Sequence, residues 1–171
     1  MNPESAKAMA DFYLPVLAQE IETNVRVFKA VPEDERDYRP HSNSMSALEL
    51  ARHMSLEDLW FLQAVIDGQF GAMPAQGEDS EVKSVADAID LYHDKMPALI
   101  DQVKSLSGEQ LTQELSLMGV FNLPAIGFLS FMLRHTVHHR GQLSAYLRPM
   151  GSKVPQIYGG SADSPMEIPD Q

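Results

Sequence analysis

Apolar residues recur every three or four positions in four long stretches of the chain, which is the spacing of one face of an α-helix. Residues 5–30 form the first predicted helix. Its apolar positions are Phe12, Val16, Ile21, Val25 and Phe28. Because Pro15 lies inside this stretch, we expect the helix either to begin near Leu14 or to bend at the proline. The next residues, 31–44, are predicted to form a loop because they contain prolines and a dense run of charges.

Residues 46–67 form the second predicted helix. Ser46 and Glu49 have the spacing of a capping box, and Gly68 is expected to end the helix. This helix is apolar nearly all round, although a helix in a bundle needs only one buried stripe. The excess of apolar residues predicts that a second face also packs, with another copy of the chain as one candidate partner.

Residues 81–106 and 124–148 complete the set of long predicted helices. Between them, the sequence around Leu111 can form a short capped turn, whereas residues 119–123 have no decisive pattern. Residues 149–171 are rich in Gly, Pro and Ser and have no periodicity, which predicts an irregular tail. Four long helices without a convincing strand or a domain boundary predict an all-α fold. We therefore expect the whole chain to form a single domain, a four-helix bundle with an irregular C-terminal tail.

The composition argues against several classes of protein. The 171 residues include 24 Asp and Glu against 13 Lys and Arg, a net charge of −11 that repels nucleic-acid backbones and anionic membrane surfaces. There is no cysteine, so disulfides, thiolate metal sites and a cysteine nucleophile are excluded. No signal peptide is visible, and no apolar run approaches the roughly 18 residues that cross a bilayer. We therefore expect a cytoplasmic protein that binds neither nucleic acid nor membrane.

Histidine placement is the most informative chemical feature of the sequence. His135 and His139 lie about 40° apart on the fourth predicted helix, whereas His138 points to the other side of His135. Side chains at positions i and i+4 of a helix have Cβ atoms about 5–6 Å apart, so two imidazole rings can converge on one metal ion. The alternative is that both are ordinary histidines at the edge of the core.

A third histidine on a facing helix would complete a metal site. His53 lies near the start of the second predicted helix and shares its face with Glu49, Glu57 and Trp60. Three neutral imidazoles leave one coordination position of an ion open, as in catalytic rather than structural sites. The sequence lacks the His-Glu-x-x-His motif of zincin proteases and the Glu-x-x-His motif of ferritin-like di-iron proteins.

Four segments of the chain together match a known sequence pattern. They are Tyr38-Arg39-Pro40, Leu50-Ala51-Arg52-His53, His135-x-x-x-His139-Arg140-Gly141-Gln142 and the tail from Val154 to Asp163. In these segments the chain resembles the DinB/YfiT-like superfamily of small bacterial metalloproteins, and the resemblance covers nearly its whole length. It implies a bundle of four helices, often dimeric, that holds a divalent metal ion through three histidines. By position these are His53, His135 and His139.

The resemblance also implies a metal-dependent enzyme, with a thiol-dependent transferase as the first hypothesis. Imidazole and carboxylate donors suit Zn²⁺ or Ni²⁺, with Fe²⁺ and Mn²⁺ as alternatives. Because the chain has no cysteine, the sulfur nucleophile must arrive as a low-molecular-weight thiol that reacts with a small-molecule substrate. The other hypotheses are a metal-dependent hydrolase and a non-catalytic, stress-associated metal-binding bundle. We also expect a homodimer.

Two charged residues are candidates for roles beside the metal. Glu57 lies one turn after His53 and is the candidate catalytic residue, because it could orient an imidazole N–H or act as a base. The alternative is a solvated glutamate on the helix surface. Arg140 falls on the apolar side of its helix, where it could form a buried ion pair or anchor an anionic substrate.

Overall fold

Four long helices make up most of the fold. The computed structural model describes residues 1–166, so the predicted tail residues 167–171 lie outside the described residues. The long helices are α1 (Pro3–Lys29), α2 (Ala47–Asp67), α3 (Val85–Ser105) and α5 (Ala125–Leu147). A turn of 3₁₀-helix (Glu33–Glu35) precedes α2, and a short helix, α4 (Gly108–Thr112), follows α3 together with two strands, β1 (Glu114–Leu117) and β2 (Phe121–Pro124). The predicted all-α bundle with an irregular C-terminal tail is confirmed.

Polar caps in the sequence determine where α2 and α3 begin. Ser46 and Glu49 form the predicted capping box at the start of α2. The third helix begins at Val85 rather than at residue 81, because Ser84 caps it. The Ser84 hydroxyl accepts the backbone N–H of Asp87 at 3.1 Å, and the Asp87 carboxylate accepts the backbone N–H of Ser84 at 2.8 Å. This second capping box fixes the true start of α3.

The first helix is longer at its N-terminus than predicted. It begins at Pro3, directly after Asn2, whose side chain caps the helix by accepting the backbone N–H of Ser5 at 2.7 Å. Pro15 lies in the interior of α1, and the helix runs through it. The alternative of a helix that begins near Leu14 is therefore wrong.

The expectation that the chain contains no strand is wrong for the segment between α4 and α5. β1 and β2 pair antiparallel, with Leu115 opposite Leu123. Residues 118–120 form the turn between the strands, and Met118 and Gly119 in it are left-handed, with φ values of 55° and 72°. The sequence gives little sign of this hairpin, because four-residue strands are too short to show a period of two. In addition, the segment lacks the Asn-Gly dipeptide that is the strongest short-range signal of a hairpin.

Packing within the chain explains why α2 is apolar nearly all round. This helix packs against both α3 and α5, and α1 packs against the same two helices. Within residues 1–166, none of the exposed large apolar side chains belongs to α2. The second packed face that the sequence predicts is therefore supplied by the same chain, and a homodimer stays a prediction. None of the described helices combines the length and the apolar character needed to span a lipid bilayer.

Side-chain hydrogen bonds hold the described part of the tail against the bundle. Ser152 Oγ donates to the carbonyl oxygen of Ala30 at 2.6 Å, just after the end of α1. The Tyr158 hydroxyl donates to Glu20 Oε2 at 2.8 Å. The irregular segment after α5 is thereby fastened to α1 at two points.

Candidate metal centre

Three histidine rings converge between α2 and α5. His53 lies in the second turn of α2, and His135 and His139 lie one turn apart in the middle of α5. The Nε2 atom of His53 is 3.0 Å from Nε2 of His135 and 3.2 Å from Nε2 of His139. A tetrahedral zinc ion with bonds of about 2.05 Å would hold its ligand atoms about 3.3 Å apart. The three histidines could therefore hold a metal ion with little rearrangement.

The hydrogen-bond partners of two of these rings determine where their lone pairs point. His53 Nδ1 lies 3.1 Å from Glu57 Oε1, and His139 Nδ1 lies 2.8 Å from Gln142 Oε1. Both partners are oxygens that accept hydrogen bonds, so in each neutral ring Nδ1 carries the hydrogen. The Nε2 atoms of His53 and His139 then both carry lone pairs, which face each other across 3.2 Å. A shared cation satisfies both lone pairs, whereas a hydrogen bond between them lacks a proton.

Glu57 lies inside the site rather than on the solvated surface. Its side chain is only 12% exposed, and its second carboxylate oxygen, Oε2, is 3.3 Å from His135 Nε2. Burial acts to raise the pKa of Glu57, but the hydrogen bond from His53 and the electrostatic interactions with His53, His135 and His139 outweigh it and lower the pKa below its ordinary value. Glu57 is therefore ionised at neutral pH, and the alternative of a solvated glutamate is wrong.

Two of the histidines are neutral at neutral pH, which is the form that binds a metal ion. Burial lowers the pKa of His135 to about 4, with a further contribution from nearby His139. Burial also lowers the pKa of His139, although its hydrogen bond to Gln142 acts in the opposite direction. Among the described residues, His135 Nδ1 is buried and has no hydrogen-bond partner. Neither of these two rings carries the extra proton of an imidazolium that a metal ion would have to displace.

Other residues that stand out in the sequence lie outside the ring of converging nitrogens. His138 is exposed to solvent, as its helical position predicts. Arg140 is buried and forms an ion pair with Glu20, so it does not anchor a substrate in the site. Gln142, which the sequence pattern includes without a role, is the hydrogen-bond partner of His139. Its spacing of three residues from His139 on one helix could have predicted this contact.

Aromatic side chains border the site on the side of His135. The ring centroid of Phe61 is 5.8 Å from that of His135, and Phe131 is 5.4 Å from Phe61. Phe131 in turn lies 5.3 Å from Phe121 of the hairpin. One wall of the site is therefore apolar and continues to the hairpin that the sequence did not predict.

Comparison with known sequences identifies the family. The amino-acid sequence matches the family model described as the DinB family over residues 8–170, so the chain belongs to the DinB family. A protein of Bacillus subtilis (strain 168), "Uncharacterized protein YjoA", is 31% identical over 124 residues, which cover 71% of this chain and 77% of YjoA. "Uncharacterized protein YrdA" of the same organism is 34% identical over 87 residues, which cover 50% of this chain and 52% of YrdA. The resemblance seen in the sequence motifs is confirmed.

Solved structures show the same fold. The crystal structure of the DinB-like protein YjoA from Bacillus subtilis has a TM-score of 0.66 at 24% identity, covering 88% of this chain and 97% of that one. A DinB-like protein from Bacillus cereus ATCC 10987 has a TM-score of 0.70 at 19% identity, covering 85% of this chain and 95% of that one. The helical bundle described above is therefore the fold of DinB-like proteins.

Proposed function

We propose that the protein is a metal-dependent transferase in which His53, His135 and His139 bind one divalent metal ion and a low-molecular-weight thiol is the cosubstrate. The observation that supports the metal site most directly is the convergence of three ring nitrogens, two of which present lone pairs to each other at 3.2 Å. Membership of the DinB family is compatible with such a site.

The donor set limits the choice of metal. Three neutral imidazoles and a nearby carboxylate include no sulfur, so we favour Zn²⁺ or Ni²⁺, with Fe²⁺ or Mn²⁺ as alternatives. Three protein ligands leave one coordination position open, which is the arrangement of catalytic zinc sites. A divalent cation bound there supplies the Lewis acidity that lowers the pKa of a thiol.

The groups of the protein itself determine what the site can do with a thiol. The chain contains no cysteine, so the sulfur nucleophile has to come from a second molecule. Glu57 Oε1 lies 3.1 Å from His53 Nδ1, and Glu57 Oε2 lies 3.3 Å from His135 Nε2. We assign to Oε2 the role of accepting the proton of the thiol, while Oε1 keeps the ring of His53 oriented.

The proposed reaction is a substitution at carbon. The S–H bond of the thiol breaks, and its proton moves to Glu57 Oε2. The sulfur electron pair forms a C–S bond to the electrophilic substrate, and the leaving group departs with the electron pair of its former bond to that carbon. The proton then passes from Glu57 to the leaving group or to water, which regenerates the carboxylate. The reaction needs neither an oxidant nor a reductant.

Turnover with a panel of thiols tests this function. Protein of measured metal content is mixed with a chromogenic aryl halide and, in turn, with bacillithiol, mycothiol, glutathione or coenzyme A. We expect product only when protein, metal and one of these thiols are present together, with activity lost in His53→Ala and kept in His138→Ala. Turnover of an ester or amide substrate without any thiol would instead indicate a hydrolase. Stoichiometric metal without turnover of any substrate would indicate a non-catalytic metal-binding bundle.

A further inference from the structure

A network of buried polar side chains lies directly behind the three histidines. Its members come from all four long helices, and the proposed reaction uses none of them. They are Asn24 of α1, Asp58 of α2, Tyr92 of α3, and Thr136 and Arg140 of α5, which we call the core network. None of these residues is more than 2% exposed.

Directional hydrogen bonds join the core network across the helix interfaces. The hydroxyls of Tyr92 and Thr136 both donate to Asp58 Oδ2, at 2.6 and 3.0 Å. Asn24 Nδ2 donates to Thr136 Oγ1 at 2.7 Å and to the Tyr92 hydroxyl at 3.3 Å. Arg140 Nη1 donates to Asn24 Oδ1 at 3.1 Å. Together these bonds cross the four interfaces at which the long helices pack, α1–α3, α1–α5, α2–α3 and α2–α5.

Residues of the metal site and residues of the core network are direct neighbours in the sequence. Three site residues are each followed directly by a member of the network, as the pairs Glu57 and Asp58, His135 and Thr136, and His139 and Arg140. Adjacent residues of an α-helix point about 100° apart, so one member of each pair faces the site and the next faces the core. The backbone therefore connects each of these site residues to a neighbour whose side chain is hydrogen-bonded in the core network.

The metal site needs a fixed helix register because its ligands come from two helices. Functional side chains have to be held within roughly 0.5 Å of their productive geometry. Apolar packing is non-directional, whereas a hydrogen bond weakens steeply away from its preferred distance and angle. The bond from Thr136 Oγ1 to Asp58 Oδ2 joins α5 directly to α2 beside the site.

We infer that the core network fixes the register of α2 against α5 and thereby holds His53 within metal-binding distance of His135 and His139. Asp58 and Thr136 are positioning residues, which act through the helices that carry the ligands. Stability alone is a weaker explanation, because replacing a buried ionic cluster by apolar side chains is often neutral or stabilising. The inference rests on the proposed metal site and adds the residues that pre-form it.

Paired substitutions at Thr136 test this role. Thr136→Val removes the hydroxyl and keeps the shape of the side chain, whereas Thr136→Ser keeps the hydroxyl. Metal-free protein is titrated with Co²⁺, whose visible absorption reports both affinity and coordination geometry. We expect Thr136→Val to bind Co²⁺ at least about ten-fold more weakly, with an altered spectrum. Thr136→Ser should keep the affinity and the spectrum of the unchanged protein.

A second variant and a control make the test independent of folding defects. Tyr92→Phe removes a hydrogen bond to Asp58 from α3, a helix without a proposed ligand, and should weaken Co²⁺ binding even if Thr136→Val does not fold. Leu111→Ala is the control, because Leu111 is fully buried in α4 and its truncation lowers the free energy of unfolding outside the core network. Its Co²⁺ affinity and spectrum should match those of the unchanged protein.

The outcomes separate the positioning role from the metal site itself. If the unchanged protein binds no Co²⁺, the proposed metal site is refuted and the inference is refuted with it. If the unchanged protein binds Co²⁺ and both Thr136→Val and Tyr92→Phe bind it equally well, only the positioning role is refuted. Equal weakening in Leu111→Ala would also overturn that role, because affinity would then follow overall stability.

Discussion

The histidine site and the core network are two polar clusters built on the same helices, yet their polar atoms are satisfied in different ways. In the core network, hydroxyl, amide and guanidinium donors each meet an acceptor, and the cluster is closed to solvent. In the site, His53 and His139 present lone pairs to each other, and the rings are half-buried. A buried cluster whose donors meet acceptors within the chain is structural, although Asp58 Oδ1 has no partner among the described residues. Converging lone pairs instead indicate a place for a ligand.

The largest expected effect is the loss of metal from the site. We expect about one divalent ion per chain in the unchanged protein and almost none in His53→Ala or His139→Ala, because each variant removes one of three ligands. Elemental analysis after gel filtration measures this. His138→Ala, an exposed neighbour on α5, is the control and should keep its metal. Metal retained in both ligand variants would show that the difference between the two clusters does not mark a binding site.

Breaking the core network should reduce stability more than any change to the histidines. Arg140→Met leaves the buried Glu20 without its ionic partner, so we expect the free energy of unfolding to fall by about 3–5 kcal/mol. His139→Ala, in metal-free protein, should change it by less than about 1 kcal/mol, because the ring is only half-buried. Urea denaturation of both metal-free variants measures the two values. The opposite order would reverse the assignment of structural and ligand-binding roles.

Glu57 belongs to the histidine site and directly precedes Asp58 of the core network. Its substitution should reduce the rate of the reaction more than the affinity for the metal. Glu57→Gln keeps the shape of the side chain but removes the proton acceptor, so we expect thiol transfer to slow by about 100-fold. Metal affinity should fall by about ten-fold, because the orientation of His53 is weakened. Glu49→Gln is the matched control, since glutamine also completes a capping box at the start of α2. An unchanged transfer rate in Glu57→Gln would remove Glu57 from the reaction.

The two clusters should also differ in their response to pH in metal-free protein. Burial raises the pKa of Asp58 from its ordinary 3.8 to about 7. Its contribution to stability is therefore fully present below about pH 4 and is lost as the pH rises through about 7. Burial lowers the pKa of His135 from 6.5 to about 4. Its contribution is fully present above about pH 6.5 and is lost as the pH falls through about 4.

Urea denaturation across this pH range tests the opposite signs with one variant from each cluster. Relative to the unchanged protein, Asp58→Asn should become more stable as the pH rises. Relative to the unchanged protein, His135→Asn should become more stable as the pH falls. Parallel pH slopes for the two variants would contradict the burial that we assign to these two groups.

Helical periodicity is sufficient to predict the bundle and one half of the site. His135 and His139 lie on one helix, so their common face follows from the 3.6-residue period. His53 is 82 positions from His135, and only the resemblance to a family links it to that pair. No local pattern specifies which helices pack together, so the convergence of the three rings requires the tertiary structure.

The features that the sequence does not predict all depend on long-range contacts or on unusual turns. The Glu57 side chain is only 12% exposed because it lies against His135 of α5, whereas solvation is the ordinary expectation for a glutamate. The bonds of the core network join residues 34 to 116 positions apart, so no window along the chain contains them. The hairpin turn uses Met118 and Gly119, which lack the usual turn signature.

Anomalous X-ray diffraction from crystals grown with Zn²⁺ tests the central claim most directly. We predict one anomalous peak between α2 and α5, at about 2.0–2.1 Å from the Nε2 atoms of His53, His135 and His139. The absence of a peak among the three rings, or a peak held by other residues while these nitrogens stay unliganded, would contradict it.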